Sequence, residues 1–163
     1  MATRNRQVTS YSEGAIPSGA GFSIGLIVAE WNADITNALL DACVNTLLAH
    51  HTAKDNIVTL RVPGSFELPS AAQMLLESRE LDAVICLGCI IKGDTKHDEY
   101  IANAVAQGIM IVSIDYSTPV VFGVLTTNTL EQALDRAGGK FGNKGEEAAI
   151  TALKMAAVRR SLI

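Results

Sequence analysis

Charge is the scarcest ingredient of this chain. Only 18% of its 163 residues are Asp, Glu, Lys or Arg, against roughly a quarter in an ordinary soluble domain. The net charge is −4 and the isoelectric point is near 5.3, so the basic field that nucleic acid or an anionic membrane attracts is missing. No apolar run approaches the ~20 residues that span a bilayer. Residues Met1–Ala20 lack the apolar middle of a secretory signal. These absences predict a soluble, cytoplasmic protein. Cysteine is scarce as well: three, an odd number that argues against a disulfide framework. Cys86 and Cys89 form a C-x-x-C, but residues three apart on a strand point to opposite faces, so their thiols are not expected to converge on a metal or redox centre. His50-His51 has no carboxylate or cysteine partner nearby and reads as solvated surface, leaving metal binding without a supporting cluster. No G-x-G-x-x-G follows a strand. Gly88-x4-Gly93-Asp94-Thr95 puts aspartate where a phosphate-binding P-loop has lysine. A nucleoside triphosphate is excluded on this reading, and no dinucleotide, other cofactor or metal is expected.

What the chain has in quantity is apolar surface, 48% of its residues. With so little charge to cover a lone domain, part of that surface is expected to be buried between copies in a homo-oligomer. The length suits one domain, with residues 1–20 as a polar arm and 21–163 as the folded unit. Phe22–Ala29 is a continuous apolar run, the mark of a strand buried on both faces. Ile35, Leu39, Ala42, Cys43 and Leu47 recur at helical spacing as far as about His50. Asn56–Val62 reads as a second strand. After the turn at Pro63-Gly64-Ser65 a helix with Pro69 in its first turn runs to about Ser78. The stretch from Asp82 gives a third strand ending near Ile91. A helix follows from about Lys96 to Ile114, with Thr95 as a candidate cap and Asp98 completing a capping box. Thr118–Leu125 is a fourth strand. Asn128 and Glu131 mark another helix start, Gly138-Gly139 a stop, and Asn143 with Glu146 the start of a last helix to about Arg159. This alternation predicts a single-domain α/β fold, a three-layer α/β/α sandwich on a four-stranded parallel sheet of the flavodoxin-like kind.

In such sheets ligands sit beyond the carboxyl ends of the strands. Trp31, Ser65–Glu67, Gly93–His97 and the residues after Leu125 all fall there. Each alone is an ordinary loop; four meeting on one rim is a stronger sign. A helix beginning just after Gly93-Asp94-Thr95 offers unpaired N–H groups and a favourable dipole to an anion, which suits one phosphate monoester. His97, at the helix end, reads as an exposed side chain, a packing residue or a proton carrier, and its position favours the last. Trp31 is as suited to stacking a flat heterocycle as to packing. Glu67 stands in a first helical turn, where a carboxylate is favoured anyway, and is equally placed to accept from substrate hydroxyls. Arg136 ends a helix, where a cation compensates the dipole. Lys144 opposes the dipole of the next helix, and a bound anion would relieve it.

The segments VPGSFELP (Val62–Pro69), LGCIIKGDTKHDEY (Leu87–Tyr100), PVVFGVLTTNTLEQALDRAGGKFGNKGEEAA (Pro119–Ala149) and EWN (Glu30–Asn32) closely resemble the lumazine synthase family of riboflavin biosynthesis. The match is collinear from about Phe22 to the C-terminus, and the G-x-T-x-H and R-A-G-x-K-x-G-N-K-G runs are specific in combination. The resemblance implies condensation of 5-amino-6-(D-ribitylamino)uracil with 3,4-dihydroxy-2-butanone 4-phosphate to 6,7-dimethyl-8-ribityllumazine, phosphate and water, without a cofactor. It implies that Trp31 stacks on the pyrimidine, that Ser65, Phe66 and Glu67 meet its ribityl chain and ring, and that Cys89, Ile90 and Ile91 contact the pyrimidine. Asp94, Thr95 and Arg136, with Lys144 beside them, would hold phosphate, His97 would carry protons, and Phe122 would close the site from a neighbouring subunit.

The chain departs from the family's usual pattern in three places. Trp31 stands where phenylalanine is usual, Asp98-Glu99 follow His97 where an aromatic and an acid are usual, and Asp94 puts a charge near the phosphate. Members form pentamers, many of them assembled into 60-subunit icosahedral shells. The short Gly138–Gly142 turn resembles that of the shell formers, which can enclose riboflavin synthase. The alternatives are a non-catalytic lumazine- or flavin-binding shell or scaffold protein, and a flavodoxin-like domain for another phosphorylated ligand.

Overall fold

The computed structural model describes residues 16–163; most of the polar arm lies outside them. Four strands, β1 (Ile24–Ala29), β2 (Ile57–Val62), β3 (Ala83–Ile91) and β4 (Val120–Thr127), form one parallel sheet in the order β2-β1-β3-β4. The central strands are buried almost throughout, as their unbroken apolar runs require. Helices α1 (Ala33–Ala49) and α5 (Lys144–Ser161) pack on one face through Leu39, Cys43, Leu47, Ala149 and Leu153. Helices α2 (Leu68–Ser78) and α3 (His97–Asp115) cover the other through Leu68, Ala72, Leu75, Val105 and Ile109. The result is a three-layer α/β/α sandwich on a four-stranded parallel sheet, as the sequence predicts. Among the described residues no helix is long and apolar enough to cross a membrane.

Helix α1 lies so close to α5 that a Cβ on Gly145 would stand 1.9 Å from the Leu39 carbonyl oxygen; glycine is what lets the two backbones meet there. The short helix α4 (Leu130–Arg136) leads into a small hairpin, β5 (Ala137–Gly139) and β6 (Gly142–Asn143), which sequence periodicity does not reveal. Two cap assignments change. Thr129, not Asn128, caps α4, its hydroxyl accepting from the Gln132 N–H at 3.2 Å. Helix α3 starts at His97 with Lys96 flanking it, so Thr95 and Asp98 make no capping box; Thr95 Oγ1 only accepts from the His97 N–H at 3.4 Å. Asn143 caps α5 as expected, accepting from the Gly145 N–H at 2.8 Å.

At the N-terminal edge of the sheet Arg160 donates to both oxygens of Asp82 (2.6 and 2.8 Å) and to the Gly21 carbonyl, its guanidinium over the Phe22 ring. Asp82 also accepts from the Ser23 N–H at 2.8 Å. The clamp joins the end of α5 to the starts of β1 and β3. The three thiols are buried, with Cys89 in one core layer and Cys86 in the other, so the C-x-x-C does not converge. Burial pushes Cys43 and Cys86 up to about 12 and Cys89 up to about 11.

Candidate active site

The sheet order reverses direction between β1 and β3, and a crevice opens past the carboxyl ends of strands at such a switch point. The chain leaves β1 tied to the end of β2, with Glu30 N–H donating to Val62 O at 2.8 Å and Trp31 N–H to Pro63 O at 3.1 Å. This sets the indole directly over Gly64, where a Cβ would stand 2.5 Å from its Cε3. The ring is otherwise free, 63% exposed. Asn32 then takes a left-handed conformation (φ 59°, ψ 49°), which Asn tolerates better than most residues. Its Nδ2 donates to the Cys89 carbonyl at 3.0 Å. That bond bridges β1 to β3 across the switch point, and sequence reading had given Asn32 no role of its own. An αL residue directly before a helix is a signal that only the backbone discloses.

Beyond β2 a 3₁₀ turn, Ser65–Glu67, leads into α2. Ser65 is buried and Phe66 exposed. Glu67 Oε2 accepts from the Gly64 N–H at 3.0 Å; among the described residues its other oxygen has no hydrogen-bond donor. Beyond β3 the chain turns through Gly93–Thr95 to His97, the first residue of α3. Trp31, Ser65, Phe66, Cys89, Thr95 and His97 surround one groove of about 270 Å³, with Ile90 and Ile91 on its floor. A neighbouring hollow of about 540 Å³ shares Trp31, Phe66 and His97 and adds Glu67 and Tyr100. Asp94 is exposed beside the groove and does not line it. The structure thus brings nine of the thirteen sequence-selected residues to one rim.

Phe122, Arg136 and Lys144 lie elsewhere on the same subunit. Phe122 sits on β4 opposite Cys86 and lines, with Lys144, a separate groove of about 620 Å³ between α3, β4 and α5. Arg136, at the end of α4, donates through Nη2 to both oxygens of Glu147 (3.2 and 3.4 Å) and through Nη1 to Phe141 O at 3.3 Å. Lys144 Nζ reaches Glu147 Oε2 at 3.4 Å. Glu147, also missed by sequence reading, is thus the anion that relieves Lys144 inside this chain. A glutamate in the first turn of a helix looks like a dipole partner, and nothing in the local pattern shows it to be buried. A further hollow of about 650 Å³ lies at the opposite end of the sheet around the Asp82–Arg160 clamp, where those two charges already satisfy each other.

Residues 21–160 match the family model described as 6,7-dimethyl-8-ribityllumazine synthase. The chain belongs to the lumazine synthase family. Proteins bearing that name are similar to it over nearly their whole length. The one from Parabacteroides distasonis is 50% identical over 155 residues, covering 95% of this chain and 97% of the relative. The Cytophaga hutchinsonii protein is 52% identical over 157 residues, 96% and 98% of the two chains. That of Bacteroides fragilis is 53% identical over 131 residues, 80% and 92%. On this one subunit the selected residues fall into two separate groups, one at the rim and one around a second groove. The rim offers a flat ring, an open carboxylate oxygen, a helix start and an imidazole. The second groove offers an aromatic edge and the Lys144 cation, with Arg136 tied to it through Glu147.

Proposed function

We propose that the groove beside Trp31 and His97 is the active site at which this chain condenses 5-amino-6-(D-ribitylamino)uracil with 3,4-dihydroxy-2-butanone 4-phosphate, forming 6,7-dimethyl-8-ribityllumazine, phosphate and water. The observation that carries this reading is the meeting of an exposed indole, the free Glu67 oxygen and the His97 imidazole around one cleft at the switch point. Trp31 and Phe66 hold the pyrimidine, with Ser65, Cys89, Ile90 and Ile91 along its edge, and Glu67 accepts from ribityl hydroxyls. The start of α3, at Asp94 and Thr95, takes the phosphate through backbone N–H groups.

The uracil amine attacks the ketone, water leaves to give an imine, phosphate is eliminated, and the ring nitrogen bearing the ribityl chain closes on the remaining carbonyl with loss of a second water. Each step moves a proton near neutral pH, the work of His97. Setting two small reactants face to face removes much of their entropic barrier, and this term dominates. A neighbouring copy supplies Phe122, Arg136 and Lys144, so the working unit is a homo-oligomer. Exposed Met110, Ile111 and Ile114 on α3 and the open edges of β2 and β4 support association of copies, which family membership makes a pentamer, and the short Gly138–Gly142 turn, like that of shell formers, supports a 60-subunit shell able to enclose riboflavin synthase in the cytoplasm.

Mixing both substrates with the protein and following lumazine absorbance together with released phosphate tests the reaction. Product without protein-dependent acceleration would overturn it. Light scattering tests the assembly, and a monomer active at full rate would remove the shared site.

A further inference from the structure

We propose that Glu147 is a positioning residue for the phosphate-bearing substrate, holding Arg136 and Lys144 as one preset pair of cations. The inference rests on the reading of Arg136 as a phosphate ligand. Glu147 is 7% exposed, and its carboxylate stands behind two cations whose side chains remain 23% and 30% exposed. A carboxylate this buried needs partners, and one would suffice. Here one carboxylate meets two cations, so the cluster keeps a net positive charge directed at solvent. Glu147 also lines the groove that holds Phe122 and Lys144. It therefore joins Arg136, which does not line that groove, to Lys144, which does.

The geometry fixes the guanidinium at two points. Nη2 faces Glu147 and Nη1 faces the Phe141 carbonyl, while among the described residues Nε has no hydrogen-bond acceptor. Nε is the donor left for a phosphate, already oriented. An arginine and a lysine with no anchor would each lose side-chain rotamer freedom on binding, which the shared carboxylate removes in advance. Lys144 gains a further reason for its place: at the start of α5 its charge opposes the helix dipole, and Glu147 three residues on compensates it inside the same turn.

The test is steady-state kinetics of Glu147→Gln, Glu147→Asp, Arg136→Ala and the Arg136→Ala/Glu147→Gln double variant in the assembled protein. Glu147→Gln is expected to raise KM for the butanone phosphate about tenfold, with kcat and the KM for the pyrimidine within twofold. Glu147→Asp, which restores the charge on a shorter arm, is expected to recover part of the loss. The double variant is expected to lose less than the product of the two single losses, because in Arg136→Ala the anchor has only Lys144 left to hold. Inhibition by inorganic phosphate gives a second readout that needs no turnover, and it should weaken in parallel. A raised KM in Arg136→Ala with none in Glu147→Gln overturns the inference alone. Unchanged KM in Arg136→Ala overturns the phosphate reading beneath it. If Glu147→Gln does not assemble, Glu147→Asp carries the same comparison, and a KM equal to that of the unaltered protein overturns the proposal.

Discussion

Replacing Gly64 by alanine separates the position of the Trp31 ring from the stability of the fold. The new Cβ would stand 2.5 Å from Trp31 Cε3 and 2.6 Å from Cζ3, whereas carbon atoms settle at about 3.5–4.0 Å. The indole has to retreat by about 1 Å, a displacement that in a reacting pair can lower rate about 10²-fold. Gly64 is extended, with φ −142°, so alanine adds no backbone strain. The ring is 63% exposed and moves into solvent, so the stability change is expected to stay within about 0.5 kcal/mol, as for other surface substitutions. Function should respond far more. Stacking on an aromatic ring is worth about 1–3 kcal/mol per base, so KM for the ribityl-pyrimidine is expected to rise about 5- to 140-fold at 1.4 kcal/mol per decade. The assay is lumazine absorbance at saturating butanone phosphate and varied pyrimidine, alongside tryptophan emission and thermal melting. An unchanged KM for the pyrimidine, with an unshifted emission spectrum, would refute the stacking role and the geometry behind it.

Substitution of His97 by alanine is expected to slow turnover by about 10²-fold, the lower end of general acid–base effects, with proximity still at work; single-turnover rates check this, and complete loss of activity would count against proximity as the main term. Alanine at Gly145 drives a Cβ into the Leu39 carbonyl at 1.9 Å, and overpacking of this kind is expected to cost about 3 kcal/mol, a melting shift of about 6–12 °C. Calorimetry decides, and an unmoved melting point would mean the α1–α5 contact is slack. The Asp82–Arg160 clamp sets an acid limit. Burial pushes the Asp82 carboxyl up, but the Arg160 hydrogen bond, the Ser23 N–H and the charges of Arg160 and Arg159 together hold it below the usual carboxylate range. Its stabilisation is therefore complete above the unfolded value of about 3.9 and fades as pH falls through the lower folded value. Arg160→Ala should accordingly lower the melting temperature more at pH 7 than at pH 3; equal losses at the two would refute the linkage.

The parts of the fold that show in the sequence are those whose burial is two-sided or whose period is long. Ile24–Ala29 and Ala83–Ile91 could lie only inside a parallel sheet, and the helix bounds follow from Pro69, Asn143 and the apolar spacing of α1. The rim was equally legible, because topology alone sends Trp31, Ser65 and His97 to the same end of the sheet. What stayed hidden depended on single backbone torsions or on pairing between distant side chains. Asn32 is an ordinary polar residue until its positive φ aims the amide at Cys89, and Glu147 is an ordinary first-turn acid until α4 brings Arg136 against it. The β5–β6 hairpin is too short for any period to register. Thr129 outcompeted Asn128 as a cap because β4 runs two residues past Leu125, to Thr127.

The seclusion of the three thiols has a practical use. Cys43 and Cys86 are wholly inside the core and Cys89 is only 5% exposed, each held far from ionising at neutral pH by burial. Because the thiolate is the species that attacks an electrophile, a maleimide dye should find almost nothing to react with on the native surface. A single cysteine introduced at an exposed position such as Leu162 can then be labelled selectively, leaving the wild-type sulfur atoms in place.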